Sequence, residues 1–131
     1  MRDDIHERVT TLAESVARGS RAGCKVCITK NYPVTINDPK LTAAMLPTLQ
    51  RVAGEASVHL VPKVTGSEDF SFFQRVVPGL FFFIGVTPPG TDPKKTAPNH
   101  SPRFYADEAP LILGVRLLAN LAVDQLNADA N

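Results

Sequence analysis

The sequence predicts an α/β fold in which helices cover a mixed sheet, and three observations support this prediction. Helical patterns alternate along the chain with shorter strand-like runs. The run at residues 80–86 is continuously apolar, which is typical of a strand that is covered on both faces. The 131 residues are 44% hydrophobic and 21% charged, a globular composition that is sufficient for one modest core.

The first predicted elements are a helix and a strand. The helix covers residues 3–18, with Asp3 and Asp4 at its positive end and Gly19 as its stop. Its apolar stripe is narrow and surrounded by charged residues, which predicts a position on the outside of a sheet. The stripe consists of Ile5, Val9, Leu12 and Val16. Alternating apolar and polar residues predict the partner strand at residues 25–36.

A domain boundary is predicted at Asn37-Asp38-Pro39, followed by a helix over residues 39–53. Asp caps exposed amides and Pro is tolerated at the first helical position. Pro47 removes an internal hydrogen bond, so we expect a kink or an early break.

The second half of the chain predicts two further strands and two further helices. The strands cover residues 58–61 and 80–86, and a helix of about ten residues follows Gly66-Ser67. The last helix, about residues 107–126, has an apolar arc that is wide enough for deep burial.

Charge and length exclude several classes of function. A formal net charge of +1 disfavours nucleic acid as a partner. The apolar run at residues 80–86 is far shorter than the roughly 20 residues needed to span a bilayer, and residues 1–20 are too charged for a signal peptide. We therefore predict a soluble cytoplasmic protein without a membrane partner. The sequence also contains no serine-hydrolase, P-loop or dinucleotide-binding motif.

Two cysteines have C-x-x-C spacing, which is found in redox pairs and zinc sites. Cys24 and Cys27 lie in the strand-like segment, where an offset of three residues places side chains on opposite faces and Cα atoms about 10 Å apart. A disulfide needs less than about 7 Å. The sequence therefore predicts two unpaired strand cysteines.

His100 is the strongest candidate for chemistry, because it lies in the long loop of residues 87–106 that follows the apolar strand. A neutral imidazole is a common zinc ligand, although an unliganded loop histidine is the alternative. His6 and His59 have no ligand partner near them in the sequence. We predict no site at either of them.

The turn at Gly66-Ser67 is the second candidate, because a glycine turn at a helix start exposes amide groups that suit a carboxylate or an oxyanion. An ordinary helix cap is the alternative. Glu68 and Asp69 complement the helix dipole, so their pairing alone assigns them no catalytic role.

Three segments together resemble a known enzyme family. They are GSEDFSFF at residues 66–73, PGLFFFIG at residues 78–85, and NHSPRF at residues 99–104, which is followed by Asp107-Glu108. In order and spacing they resemble the C-terminal part of the dinuclear-metal amidohydrolases. That family includes hippurate hydrolase, auxin-conjugate hydrolases and N-acetyl-diaminopimelate deacetylase.

The resemblance covers about residues 1–126 and implies a division of the chain. Such enzymes have a catalytic α/β domain and a smaller lid, or dimerisation, domain. Residues 1–36 resemble the end of the lid, and residues 37–131 resemble the C-terminal part of the catalytic domain. The resemblance further implies that His100 binds one of two divalent metal ions, zinc or manganese, and that Gly66 and Ser67 lie close to the substrate.

The other ligands and the general base of the family match no position in this chain, so we expect no catalytic residue here and at most one weakly bound metal ion. The first expectation is a C-terminal fragment, arising as a truncated reading frame, an isolated domain or a proteolytic piece. Its complete enzyme would cleave the amide bond of N-acyl amino acids, and the fragment would be inactive alone. The alternative is a non-catalytic self-association module. A homo-oligomer is expected in either case.

Overall fold

A computed structural model describes residues 1–129, which form four α-helices. Their bounds are Arg2–Gly19 (α1), Pro39–Ala53 (α2), Phe70–Phe73 (α3) and Leu111–Asp129 (α4). Short 3₁₀ turns lie at Glu55–Ser57 and Pro93–Lys95. The chain divides between Tyr32 and Pro33 into two compact units. The assignment of residues 1–36 to a lid domain and residues 37–131 to a catalytic domain stays a prediction.

The predicted α/β mixed sheet is wrong for the part of the chain that the structure describes. Residues 25–36, 58–61 and 80–86 contain no strand. A strand requires hydrogen bonds to a neighbouring strand, and an apolar or alternating pattern shows only that a segment is suited to such pairing. Residues 1–129 bring no two of these segments together as a ladder.

The first unit is held together by contacts between α1 and the residues that follow it. Lys30 Nζ lies 2.5 Å from Asp3 Oδ1, and Arg2 donates a hydrogen bond of 2.9 Å to the carbonyl of Tyr32. The hydrogen bond and the charge of Lys30 lower the pKa of Asp3. The predicted apolar stripe is exposed, whereas Ala13 and Ala17 are half-buried on another side of the helix.

α2 begins as the sequence predicts. Asp38 Oδ1 accepts a hydrogen bond of 2.8 Å from the amide of Leu41, and Pro39 is the first helical residue. The predicted early break at Pro47 is wrong, because α2 continues to Ala53, and the alternative of a kink stays a prediction. Met45, Thr48 and Leu49 on both sides of Pro47 are buried, and this packing outweighs the single hydrogen bond that proline removes.

The two helices after α2 differ from the prediction at their ends. α3 has four residues where about ten were expected. β-branched Val76 and Val77 precede Pro78, which disfavours helical backbone at the residue before it. α4 runs from Leu111 to Asp129 and does not begin near residue 107, since Pro110 disfavours helical backbone at Ala109 before it.

α2 packs against α4 through a small apolar contact and a polar clamp. Leu117 of α4 is 4% exposed. The hydroxyl of Thr48 donates a hydrogen bond to Asp124, and Arg51 bridges the same carboxylate at 2.7 Å and Asn120 Oδ1 at 3.1 Å. The clamp therefore fixes the position of α4 along α2.

The polar clamp predicts a pH-dependent contribution to stability. Hydrogen bonds from Thr48 and Arg51 hold the pKa of Asp124 below its usual value of 3.8. A lowered pKa stabilises the folded state above the unfolded value, and this stabilisation is lost as the pH falls below 3.8. We therefore expect Asp124→Asn to lower the free energy of unfolding at pH 7, and the deficit relative to wild type to shrink below pH 3.8. Urea titrations over this range provide the measurement.

The matched control is Asp69→Asn, because the Asp69 side chain caps no helix amide. It should change the free energy of unfolding at pH 7 by no more than about 0.5 kcal/mol. A constant difference between Asp124→Asn and wild type down to the lowest pH would contradict the assigned role of the clamp.

A second polar cluster connects the start of α2 to the predicted strand at residues 80–86. The side-chain amide of Asn37 donates to the carbonyl of Phe81 at 2.7 Å and accepts from the Phe81 amide at 2.7 Å. The backbone amide of Asp38 donates to the carbonyl of Gly79 at 3.0 Å. Gln74 adds weaker contacts of 3.4 Å to Asn37 and Gly79. The Asn37 side chain thus occupies the position that a neighbouring backbone would take in a sheet.

Replacement of Asn37 tests this cluster. Asn37→Ala leaves both backbone groups of Phe81 without their partner, and we expect a loss of about 1–3 kcal/mol in the free energy of unfolding. Thermal and urea denaturation provide the measurement. Asn31→Ala, at an exposed asparagine, is the control and should change stability little. Equal stability of the two variants would show that the Phe81 contacts are replaced by water without cost.

Candidate functional site

The loop at residues 87–106 is closed at its base and ordered inside. The amide of Asp107 donates a hydrogen bond of 2.8 Å to the carbonyl of Val86, which brings the two ends of the loop together. Within the loop, the carboxylate of Asp92 accepts from the amide of Lys94 at 3.0 Å and caps the 3₁₀ turn at Pro93–Lys95. Long loops with both features are typical of functional segments.

His100 lies in a tight turn of this loop. Its φ of 70° places it in the left-handed region, which is uncommon for residues other than glycine. The turn is held by hydrogen bonds from the Ser101 amide to the carbonyl of Pro98 at 3.1 Å and from the Phe104 amide to the carbonyl of Ser101 at 3.0 Å. His100 is exposed, so its imidazole is accessible to a metal ion or a ligand.

Gly66 and Ser67 are exposed, and they lie further from the helix than predicted. α3 begins at Phe70, and Asp69 occupies the cap position. The nearby Ser71 is fully buried, and its hydroxyl donates a hydrogen bond of 2.6 Å to the carbonyl of Glu68. Within residues 1–129, no hydrogen bond or ion pair joins His100 to Gly66 or Ser67, and their role in substrate binding stays a prediction.

The described residues do not fit a complete metal site. In residues 1–129, no group of three or more His, Cys, Asp or Glu side chains is placed to hold a metal ion. A catalytic zinc site uses about three protein ligands and a structural site uses four. His100 can therefore supply at most one ligand of such a site.

The remaining candidates supply no ligand set. Cys24 and Cys27 are exposed free thiols, and within residues 1–129 the strand predicted around them is absent. His59 is exposed and His6 is half-buried on α1. The polar cluster of Asn37 and Gln74 was not predicted from the sequence, and it holds residues 79–81 without a hydrogen bond to His100, Gly66 or Ser67. The only sequence signal for this cluster was the position of Asn37 directly before Asp38, which caps α2.

Comparison with known proteins assigns the family. The sequence profile of Peptidase family M20/M25/M40 matches residues 6–124. The chain belongs to Peptidase family M20/M25/M40. The resemblance drawn from the sequence is therefore confirmed at the level of the family. Members of this family are peptidases and amidohydrolases, and the family is generally metal-dependent.

Three relatives illustrate the match to the M20 family. Thermostable carboxypeptidase 2 of Saccharolobus solfataricus is 32% identical over 126 residues, which are 94% of this chain and 30% of the relative. IAA-amino acid hydrolase ILR1-like 2 of Arabidopsis thaliana is 30% identical over 132 residues, which are 97% of this chain and 29% of the relative. The uncharacterized hydrolase y4tI of Sinorhizobium fredii is 27% identical over 130 residues, which are 99% of this chain and 31% of the relative. No solved structure gives a significant match.

These alignments also show how much of an M20 enzyme the chain represents. Each covers nearly all of this chain but about 30% of the relative.

Proposed function

We propose that this chain acts as the C-terminal portion of a metal-dependent amidohydrolase that cleaves the amide bond of N-acyl amino acids, and that it is inactive alone. The observation that carries the proposal is the family match across residues 6–124, which includes the exposed His100 turn. Relatives named carboxypeptidase and IAA-amino acid hydrolase support a substrate in which the bond to an amino acid is cleaved.

The proposal assigns His100 a role as one ligand of a divalent metal ion. Zinc and manganese are the proposed metals, two ions per complete site, with the other ligands supplied by the rest of an M20-length polypeptide. The bound metal would supply Lewis-acid chemistry. The left-handed backbone at His100 supports the assignment, because strain of this kind is concentrated at functional sites. Gly66 and Ser67 are proposed to contact the substrate from their exposed turn.

Two measurements test the proposed function. Elemental analysis of the dialysed chain should find less than one tightly bound metal ion per molecule. Joining the chain to the unmatched portion of the Saccharolobus solfataricus carboxypeptidase should then give metal-dependent hydrolysis of an N-acyl amino acid, which neither part performs alone. Two firmly bound ions in the isolated chain, or hydrolysis by the isolated chain, would refute the proposal.

Self-association is the second proposed role, and the exposed stripe of α1 favours it. Ile5, Val9, Leu12 and Val16 form a continuous apolar strip on the helix surface. We propose that a second copy covers this strip and forms a homo-oligomer. Sedimentation analysis should show an oligomer that Leu12→Glu dissociates, with Thr11→Glu beside the strip as control; a wild-type monomer at all concentrations would refute it.

A further inference from the structure

The two cysteines lie in a segment of the first unit that no pairing holds in one conformation. Cys24 and Cys27 are both exposed and both free thiols. Within residues 1–129, residues 23–29 contain no helix or strand, and none of their backbone or side-chain groups makes a hydrogen bond. A strand ladder would keep the two thiols apart, and here no ladder enforces that separation. A local change of backbone angles in this segment therefore breaks no hydrogen bond.

The segment is held at its two ends, because it runs back along α1. At one end, the amide of Ala22 donates a hydrogen bond of 2.9 Å to the carbonyl of Ala17 in the last turn of the helix. At the other end, Lys30 Nζ lies 2.5 Å from Asp3 Oδ1 in the first turn. A bend between the cysteines must therefore fit the length of chain available between these two contacts.

The available length is sufficient for such a bend. From Asp3 to Gly19, α1 spans about 24 Å at 1.5 Å per residue. The eight residue steps from Ala22 to Lys30 reach about 26–29 Å when fully extended. The flexible four-carbon stem of Lys30 adds further reach. A disulfide draws two Cα atoms from about 10 Å, as in a strand, to less than about 7 Å, and thus shortens the segment by at least about 3 Å.

We propose that Cys24 and Cys27 are a reversible dithiol–disulfide pair that exchanges with a small disulfide of the glutathione type. One cysteine thiolate attacks a sulfur of the oxidant, forms a mixed disulfide and releases one glutathione. The second thiolate attacks the protein sulfur of that mixed disulfide, closes the Cys24–Cys27 bond and releases the second glutathione. Two protein thiols thus lose two electrons and two protons, which reduce the oxidant to two thiols.

Closure of this bond excludes one backbone conformation of the segment. A strand holds residues three apart at about 10 Å between Cα atoms, whereas the disulfide holds them within about 7 Å. The oxidised pair is therefore incompatible with strand backbone at residues 24–27, and the reduced pair is compatible with it. The redox state of the pair decides whether this part of the first unit can take part in strand pairing.

Glutathione titration of the full chain tests the proposal. The reduced chain is equilibrated with mixtures of reduced and oxidised glutathione, quenched with N-ethylmaleimide and measured by intact-mass spectrometry. With oxidised glutathione in excess, the main species should be two hydrogen atoms lighter than the reduced chain and should carry no maleimide. Its share should not depend on protein concentration and should fall when reduced glutathione is added. Cys24→Ser and Cys27→Ser should each give one glutathione adduct in place of this species.

The same titration in urea is the control for the fold. It measures how readily the two thiols meet when nothing in the structure constrains them. Because the segment is free to bend, the effective concentration of the pair in the folded chain should be within about ten-fold of its value in urea. A much lower value in the folded chain would show that the fold holds the thiols apart and would overturn the proposal. Two glutathione adducts on one chain, or disulfides between chains that increase with protein concentration, would overturn it as well.

Discussion

Replacing His100 with alanine should reduce kcat/KM of the reconstituted enzyme by more than about 100-fold, together with a loss of bound metal. Loss of a partner that only orients a metal ligand typically costs 10- to 100-fold in affinity or activity, and loss of the ligand itself should cost more. Elemental analysis and initial rates of N-acyl amino acid hydrolysis, measured on the same preparations, provide the two readouts. If His100 had a purely structural role, His100→Ala would leave both the metal content and the pH dependence of metal binding unchanged.

Backbone strain must be separated from the imidazole in this experiment. Asparagine adopts left-handed backbone more readily than most residues, so His100→Asn keeps the turn and removes the ring. It should lose metal and activity as alanine does. His59→Ala, at an exposed histidine outside the loop, is the matched control and should keep both. Wild-type activity and metal content in His100→Asn would contradict the assignment.

The helices were predictable because their signals are local. The bounds of α2 follow from Asp38 and Pro39 at its start and Gly54 after its end, and all three act within a few residues of the chain. α1 is similarly predicted by its acidic first turn and its periodicity. The break predicted at Pro47 does not occur, because Thr48 and Leu49 are buried against a helix some 70 residues away in the sequence. A local pattern does not reveal that burial.

The sheet was not predictable in the same way, because strand pairing depends on distant residues. The apolar run at residues 80–86 was predicted to be a strand covered on both faces, but none of its residues is buried and Phe83 is 59% exposed. In residues 1–129 its backbone at Phe81 pairs with the side chain of Asn37. Whether a segment becomes a strand depends on the partner that reaches it, and a pattern of hydrophobicity does not contain that information.

The sequence was sufficient to select His100 as the candidate residue, but not to predict the geometry of the turn around it. The sequence selected His100 from its loop and its resemblance to a family, and the family is confirmed. The left-handed turn and the closure of the loop by Asp107 depend on hydrogen bonds that no local pattern specifies. The polar clamp at Asp124 was missed for the same reason, since Thr48 and Arg51 lie on another helix.

The packing of α4 on α2 leads to a second large effect. Leu117 is 4% exposed and Leu118, its neighbour in sequence, is 63% exposed, although both are leucines in the middle of the same helix. Leu117→Ala creates a cavity and should lower the free energy of unfolding by about 2–5 kcal/mol. That is a large part of the 5–15 kcal/mol typical of a whole domain. Urea denaturation followed by circular dichroism provides the measurement.

Leu118→Ala is the matched control, because it removes the same atoms from a position that faces water. It should change the free energy of unfolding by no more than about 0.5 kcal/mol in the chain alone. Equal losses from Leu117→Ala and Leu118→Ala would contradict the packing in which Leu117 is buried and Leu118 faces water.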